Sequence, residues 1–99
     1  MTEPERVLVD PEHHLAPGVR GYSVETARGL YVPVILSERE GEGNVGRYLD
    51  SLPTDRRVVI PNVMNALLAE MLERRGFTRG REFAPEFDEW VTIHERLPS

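Results

Sequence analysis

Asn65-Ala66-Leu67-Leu68-Ala69-Glu70-Met71-Leu72-Glu73-Arg74-Arg75-Gly76-Phe77 is the stretch on which the fold turns. With Met64 just ahead of it, Leu67, Leu68, Met71 and Leu72 recur at the intervals of one helical stripe facing a core. Glu70 and Arg74 can pair on the solvent side of the same helix. Gly76 occupies the place of a helix-ending glycine, and Phe77 can fold back on the last turn. An acyl pocket is the other use for Met64, Met71 and Leu72, but this spacing normally builds a core face.

Toward the N-terminus, Arg57-Val58-Val59-Ile60 is a compact apolar strand stopped by Pro61. Before it, Val45, Tyr48, Leu49 and Leu52 recur at helical spacing, with Asn44 as the expected N-cap and Pro53 as the stop. Ser37 to Asn44 is polar and glycine-rich. Gly21 to Leu36 reads as a hairpin: Tyr22, Val24 and Thr26 alternate with polar or small neighbours, Arg28-Gly29 turns, and Leu30 to Leu36 returns. Pro33 interrupts the returning strand. Proline cannot donate to a ladder, so it requires an edge or a bulge. The all-apolar Val34-Ile35-Leu36 favours a bulge in a strand covered on both faces. Residues 1–20 are expected to be irregular: Asp10 to Gly18 is broken by prolines and a glycine, although Arg6 to Val9 is a short run of strand type.

Toward the C-terminus, Arg81-Glu82-Phe83 leads into a turn at Pro85. Trp90, Thr92 and His94 then alternate with Val91, Ile93 and Glu95, which predicts a second hairpin over 78–99 with Trp90 packing on the sheet. The hairpin at 21–36, a strand–helix–strand–helix region over 37–77 and the closing hairpin make one domain over 1–99. The expected class is α/β (α+β): a mixed, mostly antiparallel sheet with a central parallel pair and two helices.

At 99 residues the chain suits a single domain, and 39% hydrophobic with 29% charged residues is ordinary for a soluble globular protein. The absence of cysteine excludes disulfides, thiolate metal sites and cysteine nucleophiles. A net charge of −5, with every one of the 12 basic residues an arginine, argues against nonspecific nucleic-acid binding. The cluster Arg74, Arg75, Arg79 and Arg81 suits a solvated helix end. No apolar run approaches a membrane span and the N-terminus is acidic, so a cytoplasmic protein without membrane contact is expected. Glu12-His13-His14, even with His94, lacks the spacing of metal ligands, and no metal is expected. No P-loop and no Ser-His-Asp context is present.

The helix and its surroundings resemble the C-terminal half of the GNAT family of N-acetyltransferases, over about residues 30 to 97. Asn65, Glu73 and Gly76-Phe77 fall at the family's spacing, and Gly43-Asn44-Val45-Gly46-Arg47-Tyr48-Leu49 resembles its Gly-x-Gly-x-x-Leu element. Arg57 to Ile60 corresponds to the strand between those helices, and Glu89 to Leu97 to the terminal hairpin. The resemblance implies acetyl-CoA as co-substrate. Its pyrophosphate would meet Gly41, Gly43, Asn44, Val45, Gly46 and Arg47, where unpaired N–H groups at a helix start favour an anion. Its pantetheine arm would enter a wedge opened by a bulge. The thioester would lie near the backbone of Val34, Ile35 and Leu36, with Asn65 also on the cofactor. A small-molecule or protein amine would be acylated, with Glu38 as candidate base and Tyr48 as candidate acid.

Three features depart from the family. Leu72 stands where it usually places the tyrosine that protonates the departing thiolate. Glu38, Glu40 and Glu42 put carboxylates beside the phosphate turn. Asp10 to Arg20 is too short for the two helices that form much of the acceptor site. The resemblance therefore implies a minimal or truncated version. Its alternative is a non-catalytic GNAT-like module that binds a protein or forms a homodimer.

Overall fold

The computed structural model describes residues 14–39, 41–85 and 87–99. Strands β1 (His14–Ala16), β2 (Val19–Thr26) and β3 (Gly29–Ser37) run antiparallel to one another. With β4 (Val58–Pro61), β5 (Thr78–Ala84) and β6 (Glu89–Arg96) they form a six-stranded sheet of order β1-β2-β3-β4-β6-β5. Among the described residues only β3 and β4 pair in parallel. Helix α1 (Asn44–Asp50) links those two strands, and α2 (Ala66–Glu73) leads from β4 to the β5–β6 hairpin. The chain is thus a compact α+β domain of the class the sequence predicts.

Alternation along the strands sends Leu30 and Val32 of β3, and Val58 and Ile60 of β4, to the face that carries both helices. There they meet Tyr48, Leu49 and Leu52 from α1 and its exit, and Leu72 and Phe77 from α2 and its exit. Fully burying one such aliphatic side chain stabilises by about 1.5–3 kcal/mol, so this single layer carries most of the apolar stabilisation. Gly46 keeps the two helices close: a Cβ there would lie 3.3 Å from the Arg75 guanidinium and 3.5 Å from Met71 Cε.

The helix ends are set locally. Asn65 accepts from the amides of Leu67 (2.8 Å) and Leu68 (3.1 Å), the pattern of a side-chain N-cap. At the other end Phe77 N–H donates to Leu72 O (3.1 Å) and Gly76 N–H to Glu73 O (3.2 Å), with Gly76 at φ 87°. That paired closure needs a left-handed residue, and glycine adopts it without a Cβ penalty.

Several expectations are corrected. The N-terminal segment is not wholly irregular, because β1 pairs with β2, which itself begins at Val19 rather than Gly21. The strand expected at Arg6 to Val9 lies outside the described residues, as do Glu12, His13 and Glu40. The N-cap of α1 is Gly43 at φ 74°, not Asn44, which is the first helical residue. Met64 is 92% exposed and Leu67 64% exposed, so the apolar stripe of α2 is shorter than its sequence suggests. Met64 precedes the helix, and Leu67 lies about 100° around the helix from the inward Leu68. Leu36 is also exposed, so Val34 to Leu36 is not covered on both faces. Trp90 packs edge-to-face on Phe83 across the hairpin (5.8 Å between centroids) yet stays 60% exposed.

Replacing Asn65 by alanine removes the cap of α2 and is expected to cost about 1 kcal/mol. Met64→Ser should change stability by no more than about 0.5 kcal/mol. Thermal unfolding of both variants checks this, since each kcal/mol moves the midpoint by roughly 4–8 °C in a domain of this size.

Candidate functional site

The parallel ladder between β3 and β4 has only two register pairs, Leu30 with Val58 and Tyr31 with Val59. Immediately beyond it β3 bulges. Between Tyr22 and Val24 of β2 the partner on β3 moves from Val34 to Tyr31, so Val32-Pro33 carries one residue too many for the ladder. Past the bulge β3 pairs only with β2, while β4 continues beside β6 alone. The two strands therefore diverge into a wedge, and among the described residues the β3 edge along Val34, Ile35 and Leu36 has no strand on its β4 side. Because each helix follows one of the two parallel strands, both helices start at the wedge's open end, the carboxyl end of the pair, where open α/β sheets bind ligands.

The candidate cofactor residues divide over this region. Val34, Ile35 and Leu36 line the free edge, and Ile35 also packs against the core. Gly41 (φ 85°) and Gly43 (φ 74°) form the turn into α1, where Arg47 N–H donates to Gly43 O (3.0 Å). The Asn44 side chain lies against Gly18 and accepts from the Arg47 guanidinium. Val45 and Gly46 point elsewhere, Val45 packing on the core and Gly46 against α2. Asn65 spends its side-chain oxygen on the α2 cap. Arg39 is engaged with Glu42 at 3.9 Å.

The candidate proton carriers are tied down. Glu38 accepts from Arg20 Nε (3.0 Å) and faces His14 Nε2 (3.1 Å). Slight desolvation would raise its pKa, but these two partners hold it below the ordinary glutamate range, which weakens it as a base. Tyr48 sits in the core, and burial pushes its phenol up, making it a poorer proton donor. Leu72 is fully enclosed by the same core.

A polar cluster that the sequence did not reveal closes the narrow end of the wedge. Arg57, just ahead of β4, donates from Nη2 to Glu82 Oε1 (2.9 Å), from Nε to Glu95 Oε1 (2.9 Å) and from Nη1 to the Tyr31 hydroxyl (3.1 Å). Tyr31 in turn donates to Glu82 Oε2 at 2.6 Å. Burial, reinforced by Glu82, raises the Tyr31 phenol. Desolvation works against charge on Arg57 and Glu82, yet hydrogen bonds prevail: those to Glu82, Glu95 and Tyr31 raise Arg57, and those from Tyr31 and Arg57 lower Glu82. The only hint in the sequence is the strand alternation that puts Tyr31, Arg57, Glu82 and Glu95 on the face away from the helices. Their meeting depends on register, which the sequence does not state.

Among the described residues no group of three or more His, Cys, Asp or Glu gathers as a metal site, and no helix is long and apolar enough to cross a membrane. Comparison with protein-family models, with curated proteins and with solved structures found no match to this chain.

Glu82→Gln should destabilise the domain by about 1–3 kcal/mol at neutral pH, because Arg57 loses a charged partner in a part-buried cluster. The folded pKa of Glu82 is depressed, so its contribution is present above the ordinary value of 4.5 and is lost as pH falls through the lower folded value. Denaturant unfolding of wild type and variant from pH 7 to pH 3 should show the two curves converging in acid, at roughly the pH where the carboxylate is protonated.

Proposed function

We propose that the chain is a GNAT-like module that binds acetyl-CoA, or a related acyl-CoA, in the wedge between β3 and β4. The observation that carries this reading is the two-pair parallel ladder ended by the Val32-Pro33 bulge. Among the described residues it leaves an unpaired strand edge beside apolar Val34 and Ile35. A pantetheine arm is a chain of amides and methylenes, and it suits such an edge as an added strand does. The turn at Gly41 and Gly43 lies where that arm's pyrophosphate would emerge, with Arg47 one turn into the helix. Glu42 and Glu38 oppose an anion there, so the expected affinity is modest.

The proposed role stops at binding. Glu38 is a weakened base, Tyr48 is buried, and Leu72 offers no hydroxyl. Acetyl transfer to a small-molecule or protein amine would lack proton-transfer assistance from these residues, so it would be slow at most. Restoring a tyrosine at this position is not a simple rescue, because overpacking a filled core costs about 1–3 kcal/mol. A second reading, a self-associating GNAT-like module, is favoured by the exposure of Met64, Leu67 and Leu36.

Thermal unfolding with acetyl-CoA separates the two readings. At one hundred times the dissociation constant the ligand should stabilise the fold by about 2.7 kcal/mol, at unchanged sedimentation coefficient. No shift at millimolar acetyl-CoA would discard the acyl-CoA reading. A midpoint that instead rises with protein concentration would favour self-association.

A further inference from the structure

We propose that the outer edge of β5 docks an extended, acidic segment of a partner protein, which joins the sheet as a further strand. Strand β5 pairs with β6, and among the described residues no strand lies on its other side. Alternate residues of such an edge turn their N–H and C=O groups outward, which makes it a template for strand addition. β6 stands between this edge and the wedge, so acyl-CoA binding has no part in the proposal.

The side chains along the edge define the segment that fits. Register sets Arg79 opposite His94, Arg81 opposite Thr92 and Phe83 opposite Trp90, and opposed residues share a face of the sheet. His94 marks that face as the helix side, since its Nε2 lies 3.3 Å from Glu73 Oε2 of α2. Arg79, Arg81 and Phe83 thus stand in one exposed row, at intervals of about 7 Å. Arg20, Arg39, Arg56, Arg57, Arg74 and Arg75 each face a carboxylate. Arg79 and Arg81, by contrast, make no hydrogen bond or ion pair among the described residues. Glu70 and Glu73 share a cleft with Arg79, but Glu70 pairs with Arg74 and Glu73 with His94. Beyond the arginines, the Phe83–Trp90 ring pair leaves an apolar patch open to solvent.

Charge and register select the occupant. A second copy is disfavoured at this edge. Two-fold antiparallel pairing of β5 on itself sets Arg79 or Arg81 opposite an arginine, or Glu82 opposite Glu82, and like charges directly opposite repel. Two cations on a chain of net charge −5 are also too few to neutralise a run of phosphates. A segment with a carboxylate opposite each arginine and an apolar side chain on Phe83 and Trp90 meets the whole row. In the antiparallel sense, which is slightly the more stable, that segment reads apolar-x-acid-x-acid. Its x positions turn to the other face, opposite Glu82 and Gly80. Glu82 is already held there by Tyr31 and Arg57, so neutral residues fit.

Trp90 is the only tryptophan and reports binding by its fluorescence. The probe is the capped peptide Ser-Val-Thr-Glu-Thr-Glu-Ser. One control carries glutamine for both glutamates, and a second carries a fully N-methylated backbone. The acidic peptide should give a saturable change below millimolar concentration, with both controls at least about tenfold weaker. Joint Arg79→Gln and Arg81→Gln substitution alters two exposed side chains and should weaken the acidic peptide by at least about tenfold at an unchanged thermal midpoint. Joint Arg79→Glu and Arg81→Glu should reject the acidic peptide and bind its counterpart with lysine for both glutamates. The proposal is overturned if the acidic peptide gives no saturable change, if either control binds equally well, or if the glutamine substitutions leave binding unchanged. Failure of the charge-reversed pair to bind, or tighter binding of a short oligothymidylate, overturns it too. A second copy is the occupant instead if the glutamine substitutions change the sedimentation of the protein alone.

Discussion

Arg57 holds the centre of this molecule together. The parallel pair between β3 and β4 is two register pairs long, too little to fix two strands by ladder bonds alone. At its start Leu30 N–H donates to the Arg57 carbonyl at 2.9 Å, and the Arg57 side chain reaches Tyr31 on β3, Glu82 on β5 and Glu95 on β6. One residue thus ties four strands at the closed end of the wedge. Arginine suits this position because its planar fork can meet several acceptors at once, which the point charge of an ammonium does less well. With that end pinned, β3 and β4 can separate beyond it without the sheet coming apart. Val59 and Ile93 remain buried on the same side of the sheet, where no helix packs among the described residues.

The bulge at Val32-Pro33 is the complement of that clamp. Proline has no N–H to offer a neighbouring strand, so the ladder must end or shift there. Because α1 and α2 each follow one of the parallel strands, the divergence also fixes where both helices begin. The sheet, the wedge and the glycine turn are therefore one construction: a pinned end, a splayed end, and two helix starts around the opening.

Much of this was legible in the sequence. Pro33 in an apolar run announced the bulge, the Asn65 to Phe77 stretch announced a capped helix with a glycine close, and the β–α alternation announced the parallel pair. Period alone could not tell which apolar residues face inward. Met64 and Leu67 fit the helical stripe but fall outside it, because the helix starts at Ala66 and its inward face centres on Leu68, Met71 and Leu72. Asn44 looked like a cap by residue type, but Gly43 adopts the left-handed entry and takes the position. The Arg57 cluster joins residues far apart in sequence, and the His94–Glu73 pair joins a strand to a helix. Such meetings follow from register and packing, which no local pattern encodes.

The candidate site shows the same division. Val34 to Leu36 and Gly41 to Gly43 could be picked from sequence because bulges and glycine turns leave local marks. The surroundings of Glu38 could not, because Arg20 and His14 come from the neighbouring hairpin and change its chemistry from a base to a fixed anion. Binding and catalysis therefore separate here, and the wedge is the proposed place of an acyl-CoA. Amide shift mapping during an acetyl-CoA titration tests that claim most directly. The account predicts that the largest changes fall on Val34, Ile35 and Leu36 and on Gly41 to Asn44, on both sides of the wedge opening. Changes confined to α2 and the β5–β6 hairpin, or none along the β3 edge at saturation, would contradict it.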